Sequence, residues 1–363
     1  MPQTLSSGPT LTNITYTGRV IVKYGLVVLV LLMVGRVTLN AMVAYWKATH
    51  PPPPPPPTVG FGKLPTLQFP DQSEGDSPAE YRLETPTGSL PDYGDRAKVF
   101  FVPKAIPNLL ADQRAKSLAA TYGFVFEPTV LGTELYRFKK TQPIESTLDL
   151  NTRTLHFTLN TDFLSRPELL ANKTLPNNFQ AVEMVKNFLK STELLPSDVA
   201  TSAGEVVYLR SLGGELEEAV SLSDADFIQV DLNRTPIDNN FRVYTPKGYQ
   251  GAISAIITGN LQGAGNIVQL EYAYNTVDYT QVHTYPLRSA RTAWQVLQAG
   301  EGYIAQPGES DVAVIRSVSM AYYDDTEEQE YLQPIYVFEN PDDGFLAFVS
   351  ALDTTFVQNS PTQ

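Results

Sequence analysis

The feature that most limits what this chain can become is a hydrophobic run from Gly25 to Trp46 that leads almost directly into seven consecutive prolines, Pro51 to Pro57. At about 1.5 Å per residue, a helix over residues 25–46 covers roughly the 30 Å hydrocarbon core of a bilayer, so the run reads as a transmembrane helix with lipid as its first partner. Seven prolines in polyproline II add about 20 Å of stiff spacer. Residues beyond Pro57 are then cargo on a stalk. Tyr45 and Trp46 suit an interfacial anchor, and Asn40 to Ala44 makes a poor cleavage site, so the helix is expected to be retained rather than removed as a signal peptide.

Charge is distributed unevenly around this span. The formal net charge is −13, yet residues 1–50 carry Arg19, Lys23, Arg36 and Lys47 with no acid, which leaves −17 on the rest of the chain. Arg19 and Lys23 just before the span favour a cytoplasmic N-terminus and an exported C-terminal domain. A polyanionic domain repels nucleic acid, which is not expected as a partner. Arg36 is the outlier. A charge near the middle of the span costs about 2.5–3.5 kcal/mol, so it is either a membrane-partner contact or the sign of a span shifted to residues 20–35 with a surface helix behind it.

The chain divides by composition. Residues 1–24 are rich in Ser, Thr, Gly and Pro and read as a disordered cytoplasmic tail; 25–46 is the transmembrane helix; and 47–97 is a Pro-rich stalk and linker in which Phe61, Leu64, Leu67 and Phe69 dock in part. Beyond that the fold class expected is α+β, an ectodomain of antiparallel sheets with helices in repeated α-β-β units, divided into 98–240 and 241–363. Helical periodicity marks 111–122, 178–194 and 289–299. Strand-like runs cover 98–102, 123–127, 134–139, 146–150, 153–159, 205–212, 226–231, 241–244, 252–258, 267–274, 312–323 and 331–339.

Catalytic signatures are missing from the sequence. There is no cysteine, which removes disulfides, thiolate metal sites and cysteine nucleophiles together. No phosphate loop, nucleophile elbow, dinucleotide fingerprint or zinc-protease helix occurs, and His50, His156 and His283 lack acids or nucleophiles at suggestive spacing. No cofactor and no metal are implied. The acidic loop from Asp324 to Glu330 offers oxygen ligands without an EF-hand pattern and reads as a solvated turn.

From Ala293 to Phe338 the strings TAWQVLQAGEGYI, DVAVIRSVSMAYYDD and EYLQPIYVFEN resemble the C-terminal region of the YycI/YycH type of bacterial regulatory proteins, whose membrane-anchored ectodomains have a PepSY-like helix-and-hairpin arrangement. The resemblance places Val318, Met320, Tyr322 and Tyr323 on one strand and Pro334, Tyr336 and Phe338 on the next, with Trp294 on the preceding helix. It implies a membrane-anchored extracytoplasmic domain of the bacterial cell envelope that binds or regulates a protein or envelope partner without catalysis. Trp294, Tyr322, Tyr323 and Tyr336 are its recognition or core aromatics. The competing expectation is an envelope hydrolase or transferase that works with carboxylates.

Overall fold

The computed structural model describes residues 11–49, 55–72, 77–106, 108–142, 144–166, 174–259 and 263–358. His50 and most of the proline run lie outside them. Two units separate, residues 1–56 and 57–363.

Within the first unit, α1 (Leu11–Thr49) is a single helix. None of its apolar stretch Gly18–Lys47 is buried. At about 1.5 Å per residue, those 30 residues extend for about 45 Å, long and apolar enough to cross a membrane. Residues 11–24, expected to be disordered, are helical. Once the apolar segment nucleates a helix, each added residue gains a hydrogen bond at little cost, and no proline interrupts residues 11–24. The helix also runs through Arg36 without a break, where the shifted-span reading places a change of direction.

The second unit is mixed α+β, with many strands and few helices. In chain order the first elements are β1 (Glu80–Leu83), β2 (Arg96–Phe101), α2 (Ala111–Thr121), β3 (Thr129–Val130), β4 (Leu135–Lys140), β5 (Ser146–Asn151) and β6 (Phe157–Thr161). Then come α3 (Asn178–Ser191), α4 (Ser197–Ala200), β7 (Glu205–Leu212), β8 (Glu215–Glu218), β9 (Phe227–Leu232), β10 (Val243–Tyr244), β11 (Ile253–Ile257), β12 (Ile267–Tyr272) and β13 (Asp278–Pro286). The chain closes with α5 (Ala290–Gln298), β14 (Tyr303–Gln306), β15 (Val312–Ile315), β16 (Ser317–Tyr323), β17 (Tyr331–Asn340) and β18 (Phe345–Ser350).

Among the described residues the strands form two large sheets and one small one. A nine-stranded antiparallel sheet has the order β3-β4-β5-β6-β12-β11-β9-β7-β8, with α2 and α3 packed through Ala115, Ala119, Val182, Val185 and Leu189. A seven-stranded sheet has the order β10-β16-β17-β18-β14 and is extended through β2 and β13. There α5 packs Ala293 and Leu297 against Phe345, Ala347 and Val349 of β18. Two pairings, β1 with β15 and β10 with β16, are parallel.

This topology corrects the boundary at residue 240. Strands β11 and β12 sit in the middle of the nine-stranded sheet, between β6 and β9, while β2 belongs with the C-terminal strands. The reason is burial: every residue of β11 is buried, so it needs a neighbour on each edge and cover on each face, which the centre of a sheet provides. Residues 123–127 are a loop rather than a strand, since only Phe124 turns inward while Val125 and Phe126 stay exposed.

The linker is corrected as well, because much of it belongs to the core. Leu64 is fully buried with Val99, Tyr285 and Leu352. Phe69 stacks on Tyr303 at 5.1 Å and meets Tyr323 edge-on at 4.9 Å. Thr58 exchanges hydrogen bonds with Thr284, and the backbone N–H of Phe61 donates to the Tyr285 hydroxyl at 2.9 Å. Gly60 lies flat on the His283 ring, where an added Cβ would come within 2.4 Å of three ring atoms. Only glycine allows so close an approach.

Candidate functional site

Three of the four aromatic residues singled out by the sequence are core residues. Tyr322, Tyr323 and Tyr336 are essentially inaccessible, whereas Trp294 on α5 is half-buried against Phe338 and Tyr81. Tyr322 donates its hydroxyl to the Lys98 carbonyl at 3.0 Å, and Tyr336 to the Arg288 carbonyl at 2.9 Å. Tyr323 differs. Among the described residues its buried hydroxyl has no hydrogen-bond partner, and Tyr323 is one of the residues around a cleft of about 430 Å³.

Segments far apart in sequence build the cleft. They are the strap 65–68, Lys104, the continuous stretch from Tyr323 through the acidic loop into the start of β17, and Gln358 from the C-terminal end. Gln333 donates its side-chain N–H to the Pro65 carbonyl at 3.1 Å, which ties β17 to the strap, while its amide oxygen is buried and unpaired. Gln329 repeats the arrangement: its N–H donates to Asp324 at 3.1 Å, and its oxygen is buried without a partner. A buried polar group without a partner costs about 1–3 kcal/mol, and each one in a native structure calls for an explanation. Here three belong to residues that line one cleft, each atom closed off from its surface.

The charges around the cleft are partly paired. Arg153 is shared between Glu328 at 2.5 Å and Glu134 at 2.9 Å, and it keeps the Glu328 carboxyl below the usual range. Lys104 is hydrogen-bonded to Glu330. Among the described residues no cation pairs with Asp325, and burial pushes its carboxyl above the usual range. Burial and the nearby acids also push the Tyr323 hydroxyl far above the ordinary tyrosine value, so it stays protonated as a donor.

A buried ionic network behind the loop fixes its position. The loop is not the solvated turn expected from its acids, because Asp324 is only 1% exposed. Arg234, just past β9, donates to Asp324 at 2.7 Å and to Asp198 of α4 at 2.7 Å, and it stacks on the Tyr274 ring at 4.2 Å. Burial opposes ionisation of Asp198, but Arg234 and the hydroxyls of Tyr279 and Tyr274 outweigh it and hold the carboxyl below its usual range. Asn275 then donates to the Asp325 and Glu327 carbonyls at 3.0 and 2.7 Å. The guanidinium is what lets a carboxylate leave water at this point. Sequence reasoning misses Arg234 because a lone arginine between Asn233 and Thr235 carries no signal of burial.

The histidines take structural places. His156 hydrogen-bonds the Tyr274 carbonyl at 3.3 Å and is shifted toward its neutral form by burial, while His283 supports Gly60 and Phe61. Among the described residues no three His, Asp or Glu side chains are grouped to hold a metal ion.

No family model matches this chain, and no curated protein sequence matches it.

Proposed function

We propose that this chain is a single-pass membrane protein of a bacterial envelope, with a cytoplasmic N-terminus and an acidic extracytoplasmic domain that binds or regulates a protein or envelope partner without catalysing a reaction. The observation that carries the reading is the cleft at Tyr323. Two of its three carboxylates are engaged by cations, which suits recognition better than proton transfer. The apolar helix Gly18–Lys47 supports anchoring, and Arg19 and Lys23 support the orientation. A PepSY-like, YycI-like character of the C-terminal unit is part of the same proposal.

One observation favours the alternative of an envelope hydrolase. Burial raises the Asp325 carboxyl at the cleft beside two further acids, as a general acid requires. The pairing of Glu328 with Arg153 and of Glu330 with Lys104 weighs against it, because it occupies the second carboxylate that such chemistry needs.

Arg36 is the membrane-side residue of this reading. A cation there is retained at a cost of about 2.5–3.5 kcal/mol when it faces an acidic group on another membrane protein. Full-length protein solubilised in mild detergent is expected to retain a specific membrane partner, and Arg36→Leu to lose it while remaining inserted and abundant. Identical co-purification with the two forms removes the intramembrane contact.

A further inference from the structure

Among the described residues, most of the large apolar side chains exposed on the folded unit lie around α2 and the edge strand β3. Leu109 is 104% exposed, Ile106 82%, Val125 76% and Phe126 69%, and Val130 stands out beside them on β3. Three contacts hold these segments to one end of the nine-stranded sheet. Lys116 of α2 reaches Glu127 at 2.7 Å, the Leu131 N–H donates to the Leu135 carbonyl at 2.9 Å, and Arg153 ties the Ala105 carbonyl at 3.4 Å to Glu134 at 2.9 Å. The opposite edge of the same sheet is β8, whose sequence ELEE keeps it in water. Contiguous apolar surface of this kind marks a contact with a protein or a membrane.

We propose that this edge docks on the surface of the bilayer that holds α1, against anionic phospholipid; the inference rests on the membrane anchoring proposed above. Charge favours lipid at this place and nowhere else on so acidic a unit. Residues 104–153 carry seven cations and five acids, a charge of +2, whereas the chain beyond residue 50 totals −17, which leaves −19 on its remainder. Among the described residues Arg114 and Lys139 are exposed and pair with no carboxylate, so both are free to meet phosphate head groups. Reach favours it too. Eleven residues lead from Lys47 to Thr58, at most about 40 Å of chain, so the bilayer is always at hand. The stalk then docks with Phe61 6.4 Å from Phe101, and Ile106 follows five residues later. Side chains that project one by one from loops suit a fluid interface, which closes around each of them.

The chain has no cysteine, so a single introduced thiol takes a fluorophore at one place only. Phe126→Cys and, as the control beyond the far edge, Val220→Cys, which is 97% exposed in the parent, carry nitrobenzoxadiazole in full-length protein reconstituted at one chain per nanodisc. The discs hold phosphatidylcholine with or without phosphatidylglycerol. Doxyl-labelled lipid is expected to quench the label at residue 126 about threefold or more strongly than the label at residue 220, and less when phosphatidylglycerol is left out. Ile106→Asp with Leu109→Asp in the Phe126→Cys chain is expected to bring quenching down to the level at residue 220 with an unchanged melting temperature. The inference is overturned by equal quenching at the two positions, by quenching indifferent to phosphatidylglycerol, or by an aspartate pair that changes nothing. A lower melting temperature of the aspartate pair overturns it as well, because the side chains then belong to the core. So does a blue shift at residue 126 that grows with protein concentration in detergent, which assigns the face to a second copy of the chain. A chain that fails to enter the discs removes the anchoring and this inference together, whereas entry without quenching at residue 126 removes this inference alone.

Discussion

Replacing Arg234 with methionine is expected to destabilise the folded unit by about 3–5 kcal/mol in denaturant titrations, the largest effect of any single substitution outside the apolar core. The guanidinium is 1% exposed and is held at 2.7 Å by both Asp324 and Asp198, so its removal strands two carboxylates, one of them 2% exposed. Methionine fills much of the volume but offers no donor. The pH dependence gives a second readout. Asp198 is held below its unfolded value, so its contribution to stability is present above about pH 4 and is lost as pH falls through its folded value. The gap between Arg234→Met and the parent is therefore expected to narrow in acid. A variant within about 1 kcal/mol of the parent at neutral pH contradicts the role assigned to this network.

A domain beginning at residue 75 is expected to melt about 10–20 °C below one beginning at residue 57. The shorter form lacks fully buried Leu64 and the rings of Phe61 and Phe69, which pack on Tyr331, Tyr303 and Tyr323. At about 1.5–3 kcal/mol for each large side chain, and less for those only half-buried, the loss comes to roughly 5 kcal/mol, and each kcal/mol moves the melting point of a domain this large by about 2–4 °C. Loss of the strap also removes the Pro65 carbonyl from Gln333 and opens the cleft. Equal melting temperatures for the two forms contradict the account of residues 57–72 as part of the core.

Periodic elements are legible in the sequence, and those whose neighbours decide their fate are not. The span, α2, α3 and α5 are read from apolar spacing, and β7, β9, β11, β12 and β17 from short apolar runs between turn residues. Strand β8, with the sequence ELEE, and the polar strand β13 carry no apolar alternation, because pairing at a sheet edge and with β2 holds them instead. The run 312–323 reads as one strand but divides at Arg316, where β15 leaves to pair with β1 and β16 remains with β17. Of the cleft, Tyr323 is visible as one aromatic among several. That its hydroxyl is unpaired depends on residues 65–68, 329 and 333, which meet only in the folded chain.

The central claim is that a membrane helix presents the folded unit outside the cell, and labelling of intact cells with a membrane-impermeant amine reagent tests it most directly. Lys63, Lys139 and Lys190 are exposed on the folded unit. Their modification without permeabilisation, read by peptide mass spectrometry, is the result the account predicts. Labelling of these lysines only after the membrane is opened contradicts it.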